Sequence, residues 1–241
     1  MRTITKYELK AILESHQLWL RDEGGERANL RSANLRSANL SYADLNYANL
    51  SYANLSSADL SSADLRSANL RYANLRSANL RSANLRSANL RSADLSYADL
   101  SYASLRSADL SYANLSSADL SYADLRDANL RGSFLNGSDL RGSDLRGSDM
   151  ITATANFAIG NMREIKTLLL DVWPVTYTAT HLHIGCERHL ITEWWDFDDD
   201  RIARMDSNAL EWWKKWKPVI QQIIEMSPAV PTGREESDAA A

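Results

Sequence analysis

The chain has a single cysteine, Cys186, in 241 residues. One thiol excludes an internal disulfide framework and fits a reducing compartment. No apolar run approaches the ~20 residues that a membrane-spanning helix needs. The opening stretch from Met1 to Glu8 lacks the apolar core of a secretory signal. A cytoplasmic protein with no membrane partner is therefore expected. The net charge is only −4 at pH 7, which implies no strong polyelectrolyte partner, and direct nucleic-acid binding is not expected. The chain has no P-loop, no dinucleotide-binding glycine pattern and no nucleophile elbow. Residues 28–150 contain neither lysine nor glutamate, and all charge there is arginine or aspartate, 13 against 12.

What fills that region is a five-residue unit. Leucine recurs at every fifth position from Leu30 to Leu145, and Met150 closes a run of 25 units without insertion. A small residue stands two positions before each leucine, Ala28 through Ala128 and then Ser133 through Ser148. A short polar residue, mostly Asn or Asp, lies between them. An α-helix needs apolar residues at a spacing of about 3.6 and a flat strand at 2, and a period of five serves neither. The pattern works if the chain turns a corner in every unit, so that the small residue and the leucine point to the same side of a short extended segment. The chain then winds into a tube with leucine on the axis and three residues per unit facing out. Successive coils hydrogen-bond at a rise of about 4.8 Å.

The unit A-[DN]-L-x-x, as in Ala28-Asn29-Leu30-Arg31-Ser32, resembles the pentapeptide-repeat family over about half of the chain. The resemblance implies a mainly β fold, a right-handed, four-sided parallel β-helix with four units per coil. The stretch around His16, Trp19-Leu20 and Gly25-Glu26 is similar to the lead-in of many members. The resemblance also implies no single function, because site and fold are separable.

Residues 1–27 read as a capping element. Thr5-Lys6-Tyr7-Glu8 fits a capping box, and Leu9, Ile12, Leu13 and Leu20 fall on one helical face. Such a helix, ending near Gly24-Gly25, would close the raw first coil. His16 is expected to pack in this cap or stand on its surface. The β-helix is assigned to residues 28–160. From Gly132 the unit becomes R-G-S-D-L, and the glycines suggest a last coil with a different turn type. Phe134, which interrupts the polar position, is expected to pack under the following domain.

Residues 161–226 read as a small α+β domain. Apolar runs at Ile165 to Val172, Val175 to Thr180 and His181 to Ile184 suggest a sheet. Short helices around Thr192 to Trp195 and Asp199 to Met205, and a longer one after Asp206-Ser207 bent at Pro218, follow. The W-W-D-F and A-L-E-W-W-K-K-W-K stretches resemble a C-terminal domain on some bacterial and phage pentapeptide-repeat proteins, for which the resemblance supplies no activity. Residues 227–241 read as a disordered polar tail.

Candidate sites are few. With four units per coil, Arg66, Arg86, Arg106, Arg126 and Arg146 form one ladder flanked by Asp44, Asp64, Asp124 and Asp144. It is either a stripe for an anionic partner or a solvated face of local Arg–Asp pairs. Tyr52 with Tyr72 and Tyr102 with Tyr122 should stack between coils. His181, His183, Cys186 and His189 could ligate zinc, but their spacing matches no strong motif, and a packed turn with a free thiol is the simpler reading. No orienting group supports Cys186 and His189 as a catalytic pair. Asp196, Asp198, Asp199 and Asp200 lack EF-hand spacing and suit a helix start. On the last helix Trp212, Trp216, Val219 and Ile223 form a candidate assembly face, the motive for expecting a homodimer.

The expected function is non-enzymatic: a scaffold whose rod recognises a protein, with no cofactor and no metal. Two alternatives stand beside it. Some family members modulate type II topoisomerases such as gyrase by mimicking DNA, although this rod is near neutral where a mimic is acidic. The other is a metal-dependent activity in the C-terminal domain.

Overall fold

The structure, a computed structural model, describes residues 2–150, 153–155 and 158–232. It divides into two compact units, one centred on residues up to Ile159 and one running from Gly160 to Pro231.

The first unit is a β-helix solenoid. Parallel bridges join each Asn or Asp to its equivalent four units on, from Asn29↔Asn49 to Asp139↔Ile159. Four five-residue units therefore complete one coil. Every leucine from Leu30 to Leu145 is buried, none more than 3% exposed.

The repeat sequence follows from a complete accounting of backbone N–H groups, each of which needs a partner when removed from water. In the unit beginning at Leu65, the Leu65 N–H donates to Asn84 O at 2.7 Å and Ser67 N–H to Arg86 O at 3.0 Å, both in the next coil. Asn69 N–H donates back to Ala48 O at 2.9 Å, and Ala68 N–H closes a turn onto Leu65 O at 3.0 Å. Only the first corner residue lacks a backbone partner. Its N–H is taken by the preceding carboxylate, Arg66 N to Asp64 Oδ1 at 3.2 Å. That side-chain turn is why Asn or Asp precedes the leucine.

The second corner residue of each unit has positive φ. Ser, Tyr and Asp occupy it at 54–61°, from Ser32 to Asp127. Gly132, Gly137, Gly142 and Gly147 adopt 64–71° at the same position. The expected change of turn type is thus corrected. Glycine relieves the left-handed cost of a Cβ, roughly 1–2 kcal/mol, without altering the turn. The inner serines replace alanine by bonding locally, Ser138 Oγ donating to Leu135 O at 2.7 Å and Ser148 Oγ to Leu145 O at 2.7 Å.

A short strand and a helix cover the first coil. β1 (Arg2–Thr3) pairs in parallel with β2 (Ala33–Asn34). α1 (Lys6–Leu20) is capped by Thr5 and Glu8 in a capping box. His16 is fully buried, its Nδ1 accepts from Ala28 N–H at 3.2 Å, and its ring stacks on Trp19. Burial pushes its pKa down. His16 is therefore part of the cap's packing.

The second unit is a four-stranded antiparallel meander, β3 (Lys166–Leu169), β4 (Pro174–Tyr177), β5 (His181–Ile184) and β6 (Glu187–Leu190), followed by α2 (Ile191–Asp196), α3 (Asp199–Ala203) and α4 (Ala209–Met226). α4 continues through Pro218. Its core joins Val175, Tyr177, Leu182, Trp194, Ile202, Trp213 and Ile220. The tail expectation is corrected for its first residues. Val230 N–H donates to Arg163 O at 2.9 Å, Tyr177 Oη donates to Ser227 O at 2.9 Å, and Ala229 is buried. Residues 233–241 of that expected tail lie outside the described residues.

Candidate functional site

Because four units make a coil, side chains at the same place in units four apart stand above one another. The arginine ladder is real in this sense, and its members are not equivalent. Arg66 Nη2 lies 2.8 Å from Asp64, Arg126 Nη2 2.7 Å from Asp124, and Arg146 Nη2 2.5 Å from Asp144. In each pair one carboxylate takes both the backbone N–H and the guanidinium of the arginine that follows its leucine. Arg126 also reaches Asp144 of the next coil at 3.6 Å. The guanidinium hydrogen bonds hold the Asp124 and Asp144 carboxyls below the usual range. Arg106 has a looser ion pair, Nε to Asp127 at 3.5 Å. Arg86 has no ion pair among the described residues. Beside it lies an open groove of about 370 Å³ lined by Asn46, Tyr47, Arg66, Ser67, Arg86 and Ser87.

The tyrosines form a second pattern. Tyr52 stacks on Tyr72 and Tyr102 on Tyr122, each with centroids 5.0 Å apart. Arg31, Arg76, Arg81 and Arg91 lie over Tyr52, Tyr97, Tyr102 and Tyr112 respectively, at 4.7–5.2 Å from the ring centre. Sequence reasoning missed these cation–π contacts, which pair a first corner residue with the second corner residue of the next coil. The constant offset between each arginine and its tyrosine, one coil and one position, was the available signal. Phe134 is 47% exposed at the polar position it interrupts.

In the second unit the four zinc-ligand candidates are not brought together. His183 is buried, and burial pushes its pKa down to about 3. Cys186 is exposed. His189 Nε2 meets Glu187 at 3.0 Å and its ring packs edge-on to Trp194 and Phe197, while His181 Nδ1 meets Thr180 Oγ1 at 2.9 Å. Among the described residues no group of three or more His, Cys, Asp or Glu side chains is placed to hold a metal ion. Asp198 caps α3 through Arg201 N–H at 2.8 Å, and Asp199 pairs with Lys214 at 2.6 Å.

The proposed assembly face is corrected at its first member. Trp212 is buried within its own unit, edge-on to Trp173 at 5.2 Å. Trp216 packs on the same core and donates Nε1–H to Asp171 at 3.1 Å. Ile223 is half-buried and Val219 is exposed. More of α4 is covered than a two-line reading of the helix implied: Leu168, Leu170, Trp173, Trp195 and Met205 pack against the buried cluster to which Trp212, Trp213 and Ile220 belong. A small cavity of about 100 Å³ remains between Trp173, Trp194, Trp212 and Trp213.

Among the described residues no helix is long and apolar enough to cross a membrane. No curated protein matches the chain. Among solved structures, it is similar to the pentapeptide repeat protein Rfr23 from the cyanobacterium Cyanothece 51142, at 34% identity over 38% of this chain and 63% of that one, with a TM-score of 0.38. The chain thus spans less than two thirds of that relative's length. HetL, a pentapeptide repeat protein involved in heterocyst differentiation regulation in Nostoc sp. strain PCC 7120, matches at 35% identity over 56% of this chain and 76% of that one, with a TM-score of 0.25. QnrB1, a plasmid-mediated fluoroquinolone resistance protein, matches at 21% identity over 57% and 78%, with a TM-score of 0.41. The family model for pentapeptide repeats matches eight copies between residues 26 and 154 and stops before the tryptophan-rich unit. With more than half of its length so matched and each coil closing after four units, the chain belongs to the pentapeptide-repeat family.

Proposed function

We propose that this is a non-enzymatic interaction protein, a scaffold whose β-helix offers its lateral faces to a protein partner. One observation carries the reading: outward side chains stand in columns fixed by the coil period, tied by the side-chain turns and arginine contacts described above. Such a surface is preorganised, so little side-chain freedom is lost on binding. The right-handed, four-sided form that the family implies, and a cytoplasmic setting consistent with the one exposed thiol of Cys186, belong to the same proposal. So does a homodimer, now resting on Val219 and Ile223 rather than on Trp212. The test is capture from the native host on the immobilised full chain, repeated with variants that alter one face at a time. A partner lost with one face and kept with the others supports the reading; equal capture by all variants overturns it.

The topoisomerase alternative depends on acidic columns resembling DNA phosphates. Asp64, Asp124, Asp139 and Asp144 each hold an arginine, which cancels the potential a DNA mimic needs. No inhibition of gyrase supercoiling at low micromolar protein is expected, and potent inhibition would promote this alternative.

A further inference from the structure

Resting on the protein-recognition reading, we propose that Arg86 and Arg106 form a carboxylate-accepting site, which takes one acidic side chain of the partner protein. The ladder has a rule. An arginine pairs with the aspartate before the preceding leucine, as Arg126 does with Asp124, and Arg126 shows that it also reaches the equivalent aspartate of the next coil, Asp144. For Arg86 those two positions are Asn84 and Ser104. Ser104 is also the position that should serve Arg106 from before its leucine. Carboxylates are therefore missing at two successive levels of the column and present above and below.

The consequence is local. Asn84 Oδ1 still accepts the Arg86 backbone N–H, at 3.4 Å, so the turn is kept while no carboxylate among the described residues pairs with the guanidinium. The groove beside it opens on the Arg66 side, and its lining includes the arginines 66 and 86 and the hydroxyl-bearing Ser67, Ser87 and Tyr47. An incoming carboxylate would reach the Arg86 guanidinium from the groove, with the two-pronged geometry a guanidinium favours.

Charge decides the class of ligand. Over the whole column five arginines face Asp44, Asp64, Asp124, Asp127 and Asp144, so the face is neutral and suits no polyanion. At levels 86 and 106 the one ion pair within 4 Å among the described residues is Arg106 to Asp127 at 3.5 Å, a local surplus of one charge. A single carboxylate matches that surplus. A doubly charged phosphate would meet the flanking aspartates.

The experiment follows the arginine Nε–Hε signals of the labelled full chain by NMR, assigned with single Arg→Ser variants. The probe is an end-blocked Gly-Glu-Gly tripeptide, with Gly-Gln-Gly as control. Saturating shifts largest at Arg86 and Arg106, absent at Arg126 and Arg146 and absent with the control, are expected. The double variant Asn84→Asp, Ser104→Asp fills the gap from within and should weaken binding at least tenfold. Uniform or non-saturating shifts, binding that survives the double variant, or inorganic phosphate binding the same pair more tightly would each overturn the assignment. Host capture on another face, with no tripeptide bound at Arg86, would remove this site and leave the wider reading standing.

Discussion

Ser104→Asn should make the protein more stable. Across the solenoid, an Asn or Asp before the leucine accepts the N–H of the first corner residue, at 3.0 Å for Arg76 on Asn74 and 2.9 Å for Ser101 on Asp99. Ser104 occupies that position with a shorter side chain, and among the described residues no such bond reaches the Arg106 N–H. Asparagine there needs no new backbone geometry, since Asn84 and Asp124 hold the same place one coil before and after. The gain is one side-chain hydrogen bond to a partly exposed amide, about 0.5–1.5 kcal/mol net. The mirror change, Asn74→Ser, should cost about the same. Denaturation followed by circular dichroism measures both, read as shifts in midpoint because stacked repeats need not unfold in two states. Amide hydrogen exchange gives the residue-specific check: the Arg106 N–H should exchange more slowly in Ser104→Asn, and the Arg76 N–H faster in Asn74→Ser. A stabilised variant whose Arg106 amide exchanged at the original rate would refute the reasoning, and so would a neutral Asn74→Ser.

Leu85→Ala or Leu90→Ala should cost about 2–5 kcal/mol, because both side chains are fully buried, whereas Ser87→Ala should cost under ~0.5 kcal/mol. Gly142→Ala should cost about 1–3 kcal/mol more than Gly137→Ala, since the new Cβ would lie 2.6 Å from the Tyr122 ring but 3.5 Å from Ser117 Oγ; the difference should vanish in a Tyr122→Ser background. His183 is held neutral with a pKa of about 3, below its unfolded value, so the unfolded state binds the extra proton between those two values. The stability this supplies is complete above pH ~6.5 and is lost as pH falls toward 3, on the order of 4 kcal/mol in all. Tryptophan fluorescence at graded pH reports it, and His183→Leu should flatten the dependence. Light scattering coupled to size exclusion should give about twice 27.0 kDa for a homodimer, moving toward monomer with Val219→Glu and Ile223→Glu; a monomer at every concentration would remove the dimer.

The repeat was legible because leucine at a period of five admits few backbones, and the capping box of Thr5 and Glu8 because both side chains act within one helical turn. The coil length was not readable from spacing, which fixes a corner per unit but not the number of corners per coil; it came from family resemblance. Positive φ at Ser and Tyr corners leaves no mark, since those residues serve in many conformations, and only the late glycines hinted at it. β6 was missed because Glu187, Arg188 and His189 make a polar edge strand without an alternating pattern. The sequence between Ser227 and Pro231 looked like a tail because two prolines conceal Ala229 and Val230, which pack through one small side chain and one backbone bond. Within the arginine ladder the positions were readable and their inequality was not. It depends on which residue precedes the leucine in the same unit and in the unit one coil on, a comparison that has meaning only once the coil is known to close after four units.

That closure also governs how such a gene can change length. Adding or deleting one five-residue unit leaves the leucine core intact, because each unit offers the axis the same pair of side chains. Every downstream residue, however, advances by a quarter of a coil. Arginines that lay in one column would then meet the tyrosines or serines of the neighbouring one, and the pairings of arginine with aspartate and tyrosine would be dealt out afresh. Only steps of four units preserve the pattern. Tandem duplication in this fold is therefore harmless to folding at any whole number of units and conservative of surface only at whole coils, so the same mutational event either lengthens an old recognition surface or composes a new one.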